Sequence, residues 1–372
     1  MRRALSFIEP TPAPARIINH DIMGCTAEGV SGNHLYSGRA LGLTEPGDLL
    51  QIHPELKSQW TYIRDHYQRI GLSHTEQIIW DVGQDVLSRY PEREVCVFYF
   101  GAGEHRVRPD AAWFRAVDFI NSKNNFMSVA QRLGVPVPKT LCFAQTPDIS
   151  DRQLETFPHP CYLKAAVSVS GVGIYRCGDA AELRAAIGRF EPGVPVQLQQ
   201  EVASNSFLSL QYRVTADGLE RLAATEQILD GYAHQGNRFP VPHAPWECVE
   251  PMAEWLYREG MKKIFAFDMA VVQEGDNPDY LAIECNPRFT GASYPTAIAH
   301  KLGLECWVAR VFPTRHRSLA FLPLTDIEYN PHRGEGVILV NWGTILVGKV
   351  QFLIAGPEAV QEQLILELER RL

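Results

Sequence analysis

The stretch AIECNPRFTG (residues 282–291) limits what this chain can fold into more than any other. The run leading into it, DYLAI, reads as a strand, and on a strand the side chains at i, i+2 and i+4 share one face. Glu284, Asn286 and Arg288 therefore point the same way. A carboxylate, an amide and a guanidinium make a poor core face, because buried polar groups cost free energy unless each is paired. They make a good site for a metal ion and an anion. Upstream, IFAFDMAVVQE reads as a partner strand, turned back at Gly275-Asp276-Asn277-Pro278, and a hairpin of that form sets Asp268 beside the end of the returning strand. Asp268, Glu284 and Asn286 are hard oxygen ligands of the kind magnesium takes while sharing its other positions with water and phosphate. Arg288 adds a planar fork for a phosphate or carboxylate. The plainer alternative is a surface strand with a Glu284–Arg288 ion pair.

The surrounding pattern is α/β. GDLLQI reads as a short strand, residues 56–72 as a helix with Trp60, Ile63, Tyr67 and Ile70 near a 3.6 period, and residues 73–87 as a second helix with Ser73 as N-cap and Glu76 three residues on. EVCVFYFGAG is a continuous apolar run, expected of a strand buried on both faces in a parallel sheet. NSKNNFMSVAQRLG reads as a capped helix stopped by Gly134. Strands follow in TLCF, in CYLKAA and GIYRC around a loop of small residues, and in VPVQLQQEV, with a helix capped by Asp179 between them. Asp217-Gly218 turns one long hairpin, DGYAHQGNRFPVPHAPW reads as a polar loop, and residues 247–260 read as a helix. A helix near residues 296–302 and the strand pair within GVILVNWGTILVGKVQFLI complete the chain, with a short helix at the end.

Composition excludes some function classes. A net charge of −8 over 372 residues leaves no basic footprint for nucleic acid. No apolar run is long enough to span a membrane, and the first residues lack a secretory signal, so no membrane partner is expected. The eight cysteines form no CxxC pair or zinc spacing, which fits free thiols in a reducing cytoplasm.

A second chemical signal is YLKAAVSVSGVGIY. Lys164 closes a strand ahead of Ser168, Ser170, Gly171 and Gly173. Small residues let backbone N–H groups approach phosphates, and the lysine supplies a point charge. The segment is neither GxxxxGK[ST] nor GxGxxG, and an ordinary turn with a snorkelling lysine is the alternative.

In order along the chain, Lys123 heads a helix followed by GVPVP, Lys164 precedes the small-residue loop, a strand ends in QQEV, and the acidic hairpin ends in ECNPR. This order resembles the ATP-grasp superfamily over about residues 121–303. The resemblance implies an N-terminal α/β domain (residues 1–120) followed by a two-lobed ATP-grasp fold. Its small lobe would span residues 121–196 and its large lobe 197–312, with residues 313–372 completing the large lobe. It implies ATP with Mg2+, two ions expected and Mn2+ able to substitute. Lys123 and Lys164 would contact the phosphates with Ser170, Gly171 and Gly173, and Gln200, Glu201 and the Val202 backbone would meet the adenine. Asp268, Glu284 and Asn286 would hold magnesium, and Arg288 would stabilise the phosphoryl group in transfer. The small lobe with its loop at Val169-Ser170-Gly171 would close over the site. Ser122-Lys123 stands where Asp-Lys is commoner, Cys285 where Ile or Val is usual, and no acidic residue follows the hinge to contact ribose.

The implied chemistry is a carboxylate–amine ligase working through an acyl phosphate on small-molecule substrates. A loose similarity of the first third to microbial peptide ligases of natural-product pathways directs the expectation to amino acids or small peptides. Arg213 is expected to meet a phosphate or a substrate carboxylate, or else to be a paired structural arginine. His234, Asn237 and Arg238 are expected to line the substrate side, with His234 as an orienting group or base, or else a solvated loop histidine. Thr290, Gly291 and Ser293 precede a helix whose N–H groups suit a carboxylate, or simply cap it. The N-terminal third offers His20, Asp21, Glu28, His34 and His53 without a catalytic constellation. An ATP-grasp carboxylase and a nucleotide-binding regulator without ligase chemistry are the competing classes, and a homodimer is the family expectation.

Overall fold

The computed structural model describes residues 15–26, 30–168, 173–231, 233–274 and 277–372. The strands fall into three sheets in chain order. The first comprises β1 (Arg16–Asn19), β2 (Leu49–Gln51), β3 (Ile78–Ile79) and β4 (Glu94–Val97), all parallel in the order β3-β2-β1-β4. The expectation for EVCVFYFGAG holds, since β4 lies parallel to β1 with Cys96 and Val97 buried. The helix expected over residues 73–87 does not form. Thr75 is tied by its N–H to the Thr44 hydroxyl and by its own hydroxyl to the Asp48 carbonyl. The carbonyls of Gln77 and Ile79 accept from Leu50 and Ile52. Backbone groups that a helix would need are thus committed to β2, and only a single turn, Asp85–Ser88, is helical.

The second sheet holds β5 (Thr140–Phe143), β6 (Cys161–Ala165), β7 (Ile174–Cys177) and β8 (Val196–Gln200), antiparallel in the order β5-β8-β6-β7. Leu163 and Leu198 face a small core completed by Leu183 of helix Ala180–Ile187, which Asp179 caps at the N–H groups of Ala181 and Glu182. The alternate positions Lys164, Gln197 and Gln199 take the opposite face. Helix Lys123–Leu133 lies beside this sheet, capped by Ser122 and stopped by Gly134 at φ 71°.

The third sheet has eight antiparallel strands. They are β9 (Ser204–Thr215), β10 (Gly218–Asp230), β11 (Ala233–Phe239), β12 (Lys263–Glu274), β13 (Asn277–Asn286), β14 (Trp307–Pro313), β15 (Gly336–Leu339) and β16 (Lys349–Ala355), in the order β13-β12-β9-β10-β11-β14-β16-β15. β11 corrects the expectation of a loop over its residues: HQGNRF is a strand, paired with β10 on one side and β14 on the other. On one face of this sheet Leu208, Leu210, Tyr212, Phe265 and Phe267 pack against helices Trp246–Arg258 and Lys123–Leu133. Helix Ser293–Leu302 covers part of the other face, where Gln211 donates to the Thr296 hydroxyl. Among the described residues no helix is long and apolar enough to cross a membrane.

Candidate active site

The β12–β13 register pairs Ala266 with Asn286 and Asp268 with Glu284, so the acidic residues share a face as the alternation demands. Asp268 is held from both sides: Oδ1 accepts from Gln227 Nε2 at 2.8 Å and Oδ2 from Asn286 Nδ2 at 2.9 Å. Desolvation and the neighbouring Glu284 push the Asp268 carboxyl above its ordinary range. Desolvation alone would raise Glu284 as well, but Lys123, Lys164 and Arg288 outweigh it and hold that carboxyl low. Two half-buried carboxylates this close repel one another, and a divalent cation relieves that repulsion. The donors are oxygens, and Asn286 keeps Oδ1 uncommitted among the described residues while its amide N–H is spent on Asp268. The set therefore fits magnesium.

Three cations face these acids. Lys123 Nζ lies 3.0 Å from Glu284 Oε2 and donates to the Ser168 hydroxyl at 3.1 Å. Lys164 is buried and donates to Gln199 Oε1 at 2.6 Å. Burial drives its pKa down to about 8, with Lys123 adding to the fall and Glu284 opposing it. Arg288 donates to the Phe289 carbonyl at 3.1 Å and sits over the Phe98 ring at 5.4 Å. Phe98 directly follows β4, so the first sheet also borders the site. Gln199 and Gln227, the partners of Lys164 and Asp268, escaped the sequence reading. Gln199 stands among other glutamines in VQLQQ and Gln227 beside Glu226 in a mixed strand, so no local pattern singles them out.

β11 brings His234 and Asn237 together. His234 Nε2 lies 2.7 Å from Asn237 Oδ1, and Asn237 Nδ2 donates to the Thr225 hydroxyl at 3.1 Å. With the amide so assigned, Nε2 carries the proton and Nδ1 keeps its lone pair. A Cβ added at Gly291 would come within 2.6 Å of His234 Cε1, which places Gly291 against the ring. His234 is thus a strand residue fixed at Nε2, which corrects the placement in a loop, while its side chain keeps access to solvent. Its side chain is open to solvent yet surrounded by protein, as on the wall of a cleft. Desolvation there lowers the imidazole pKa, so the ring is neutral near pH 7.

Other expected residues are placed elsewhere. Arg238 is exposed on the opposite side of β11 from Asn237 and faces Glu226 at 3.5 Å. Arg213 is paired with Glu220 at 2.7 Å, four strand positions beyond Ser209, the residue beside Asp268. That corrects the expected phosphate or substrate contact in favour of a structural pair. Thr290 and Ser293 are buried and lock their turn, the Ser293 hydroxyl accepting from the Thr290 N–H at 3.0 Å, so they serve the helix start. Glu201 follows β8 and accepts from the Tyr162 hydroxyl at 2.6 Å and from the Arg176 guanidinium at 2.8 Å. Gln200 ends β8 half-buried with Val202 two residues on, and Gly173 (φ 76°) accepts from the Ala165 N–H. Ser170 and Gly171, with Val169 and Glu28, lie outside the described residues.

No protein-family model and no curated protein matches the sequence. Among solved structures, the chain is similar to N5-carboxyaminoimidazole synthetase from Staphylococcus aureus complexed with ADP, at 11% identity and a TM-score of 0.62, with 99% of this chain and 100% of that one covered. It is similar to N5-carboxyaminoimidazole ribonucleotide synthetase from Thermus thermophilus at 15% identity and 0.53, over 96% and 98% of the two chains. It is also similar to N5-carboxyaminoimidazole synthase from Aspergillus clavatus in complex with ADP and 5-aminoimidazole ribonucleotide, at 11% and 0.53, over 95% and 98%. At such identities the likeness is one of fold, and the fold is the ATP-grasp fold that the order of motifs implied.

Proposed function

We propose that the protein is an ATP- and magnesium-dependent carboxylate–amine ligase that forms an amide or peptide bond through an acyl phosphate. One observation carries this reading: Lys123, Lys164, Asp268, Glu284, Asn286 and Arg288 converge in one network drawn from two sheets and the helix beside them. Lys123 and Lys164 would hold the nucleotide phosphates, and Asp268, Glu284 and Asn286 would hold magnesium. Bound magnesium would neutralise phosphate charge and polarise the transferring group. A substrate carboxylate oxygen would attack the γ-phosphorus, breaking its bond to the ADP oxygen, while Arg288 meets the charge that develops there. The substrate amine would then attack the acyl carbon, forming the C–N bond as phosphate leaves with the C–O electron pair. The amine must shed a proton, and neutral His234, with a free Nδ1 lone pair beside Gly291, is the base we assign.

Amino acids or small peptides are the proposed substrates. The eight free thiols fit a reducing cytoplasm. The test is ADP release with magnesium-ATP against pooled amino acids and small carboxylic acids, with mass spectrometry on active pools. A product lighter by one water than its two parents supports the ligase. ADP release that needs bicarbonate alone beside an amine supports the carboxylase instead. Glu284→Gln is expected to lower turnover by at least about 100-fold with the fold intact; full activity in that variant would sink the metal assignment.

A further inference from the structure

Arg39 lies in the 3-10 segment Asn33–Leu43 and is 7% exposed, yet it forms no ion pair among the described residues. Its Nε is sealed from solvent without a hydrogen-bond partner. Around the guanidinium stand aromatic rings, Tyr294 at 4.2 Å, Tyr36 at 4.8 Å and Phe98 at 4.9 Å. Arg288 sits over the same Phe98 ring. The titratable groups facing this place are Tyr294, whose hydroxyl also meets the guanidinium, with His20, His234 and Cys25, and none is an anion near pH 7: desolvation drives the Tyr294 phenol up, the Cys25 thiol up to about 11, and both imidazoles below their ordinary values. Two guanidinium groups thus meet on one ring with neutral groups around Arg39. A buried charge without a counter-ion costs several kcal/mol, so such an arrangement persists where a ligand supplies the missing charge.

The position agrees. Phe98 follows β4, and His20 follows β1, both at the carboxyl ends of parallel strands, where crevices of α/β sheets take their ligands. We propose that Arg39 is an oxyanion socket for the second substrate, binding a carboxylate or phosphate that the reaction leaves unchanged, while Arg288 serves the reacting end. The aromatic rings fix the fork and leave its edge for the anion. The socket's role in substrate recognition rests on the ligase reading above; anion binding at Arg39 does not.

The experiment measures the melting temperature of the full chain saturated with magnesium-ADP, titrated with acetate, glycine or inorganic phosphate at constant ionic strength. Wild type is expected to gain a saturable increment with at least one anion. A response to acetate or glycine alone assigns a carboxylate, and to phosphate alone a phosphoryl group. Arg39→Met should lose that increment while keeping the increment from magnesium-ADP. Arg39→Lys, which keeps charge but not the fork, should move half-saturation up by about tenfold or more. No increment in wild type, or an undiminished one in Arg39→Met, overturns the proposal. A merely structural arginine would lower the melting temperature in both variants and leave the increment unchanged. If no pool releases ADP while the Arg39-dependent increment remains, the ligase reading fails and the socket stands.

Discussion

Lys164 sits where its charge is hardest to keep. Its ammonium is buried under the second sheet with a neutral amide, Gln199, as its direct partner, and Gln199 is itself fixed by a bond to the Thr140 hydroxyl at 3.1 Å. Burial outweighs the pull of Glu284 and brings the pKa from 10.5 to about 8. A bound phosphate would reverse that fall, because an opposite charge at contact favours the ammonium. We predict that ADP affinity in magnesium declines as pH rises through about 8 in the free protein, read by calorimetry between pH 7 and 10. Lys164→Arg, charged throughout, should flatten the profile. A pH-independent affinity in wild type would remove Lys164 from the phosphate site. The stability of the ligand-free fold should move the other way. Between pH 8 and 10.5 the unfolded chain binds the proton that the folded lysine has lost, so stability rises with pH across that window.

β11 shows what an element can hide. A carbon added at Gly236 would fall 1.8 Å from the Ala309 carbonyl oxygen and 2.9 Å from its carbon, both backbone atoms of β14 that cannot turn aside. The strands must part to admit it, and with them His234 and Asn237. Gly236→Ala should therefore cost about 1–3 kcal/mol in urea unfolding. Gly47→Ala, whose added carbon meets nothing within 4 Å, should stay within about 0.5 kcal/mol. Equal midpoints for the two would mean that the β11–β14 approach is not as close as described. The strand was illegible in the sequence because polar residues stand on both of its faces, Asn237 on one and Arg238 on the other, so no apolar alternation marks it, and one of its two partners, β14, lies far along the chain. The β12–β13 hairpin was legible because its polar residues alternate with apolar ones and its turn is local. For the same reason Lys123 and Lys164 could be placed, each at the end of a locally coded element, whereas Arg39 belongs to a 3-10 stretch without a readable period. β1 is only four residues long. The misread helix near Ser73 was decided by tertiary bonds to Thr44 and Asp48, which no local pattern announces.

Across the whole molecule, the first sheet and the far end of the third share one core: Ile18, Leu50 and Tyr67 pack in the same cluster as Trp307, Ile338 and Phe352. A polar joint crosses that seam. The Tyr67 hydroxyl donates to the Leu339 carbonyl at 2.9 Å, and Glu328 accepts from His66 Nδ1 at 2.8 Å and from Arg69 at 2.7 Å. His66 Nε2 accepts from the Leu339 N–H, so the ring is neutral with its proton on Nδ1. Burial lowers the His66 pKa from 6.5 against the pull of Glu328. Burial would raise Glu328, but Arg69 and His66 bring it from 4.5 to about 2. Both shifts have the same sign for stability. Below pH 6.5 the unfolded chain protonates a histidine that the fold keeps neutral, and between pH 4.5 and 2 it protonates a carboxyl that the fold keeps charged. We predict that acid loosens this seam in two steps. Glu328→Gln should remove the second, so that its cost in urea unfolding, on the order of 2 kcal/mol at pH 7, shrinks towards pH 3. A cost that stays constant between pH 7 and pH 3 would mean that the joint is not a titrating tie. The carbonyl and N–H groups of Leu339 that anchor it belong to β15, at the edge of the sheet whose other edge, β13, carries Glu284. Loss of the seam therefore reaches the site only through the intervening strands, and magnesium-ADP affinity at pH 6 should be the same in Glu328→Gln and wild type.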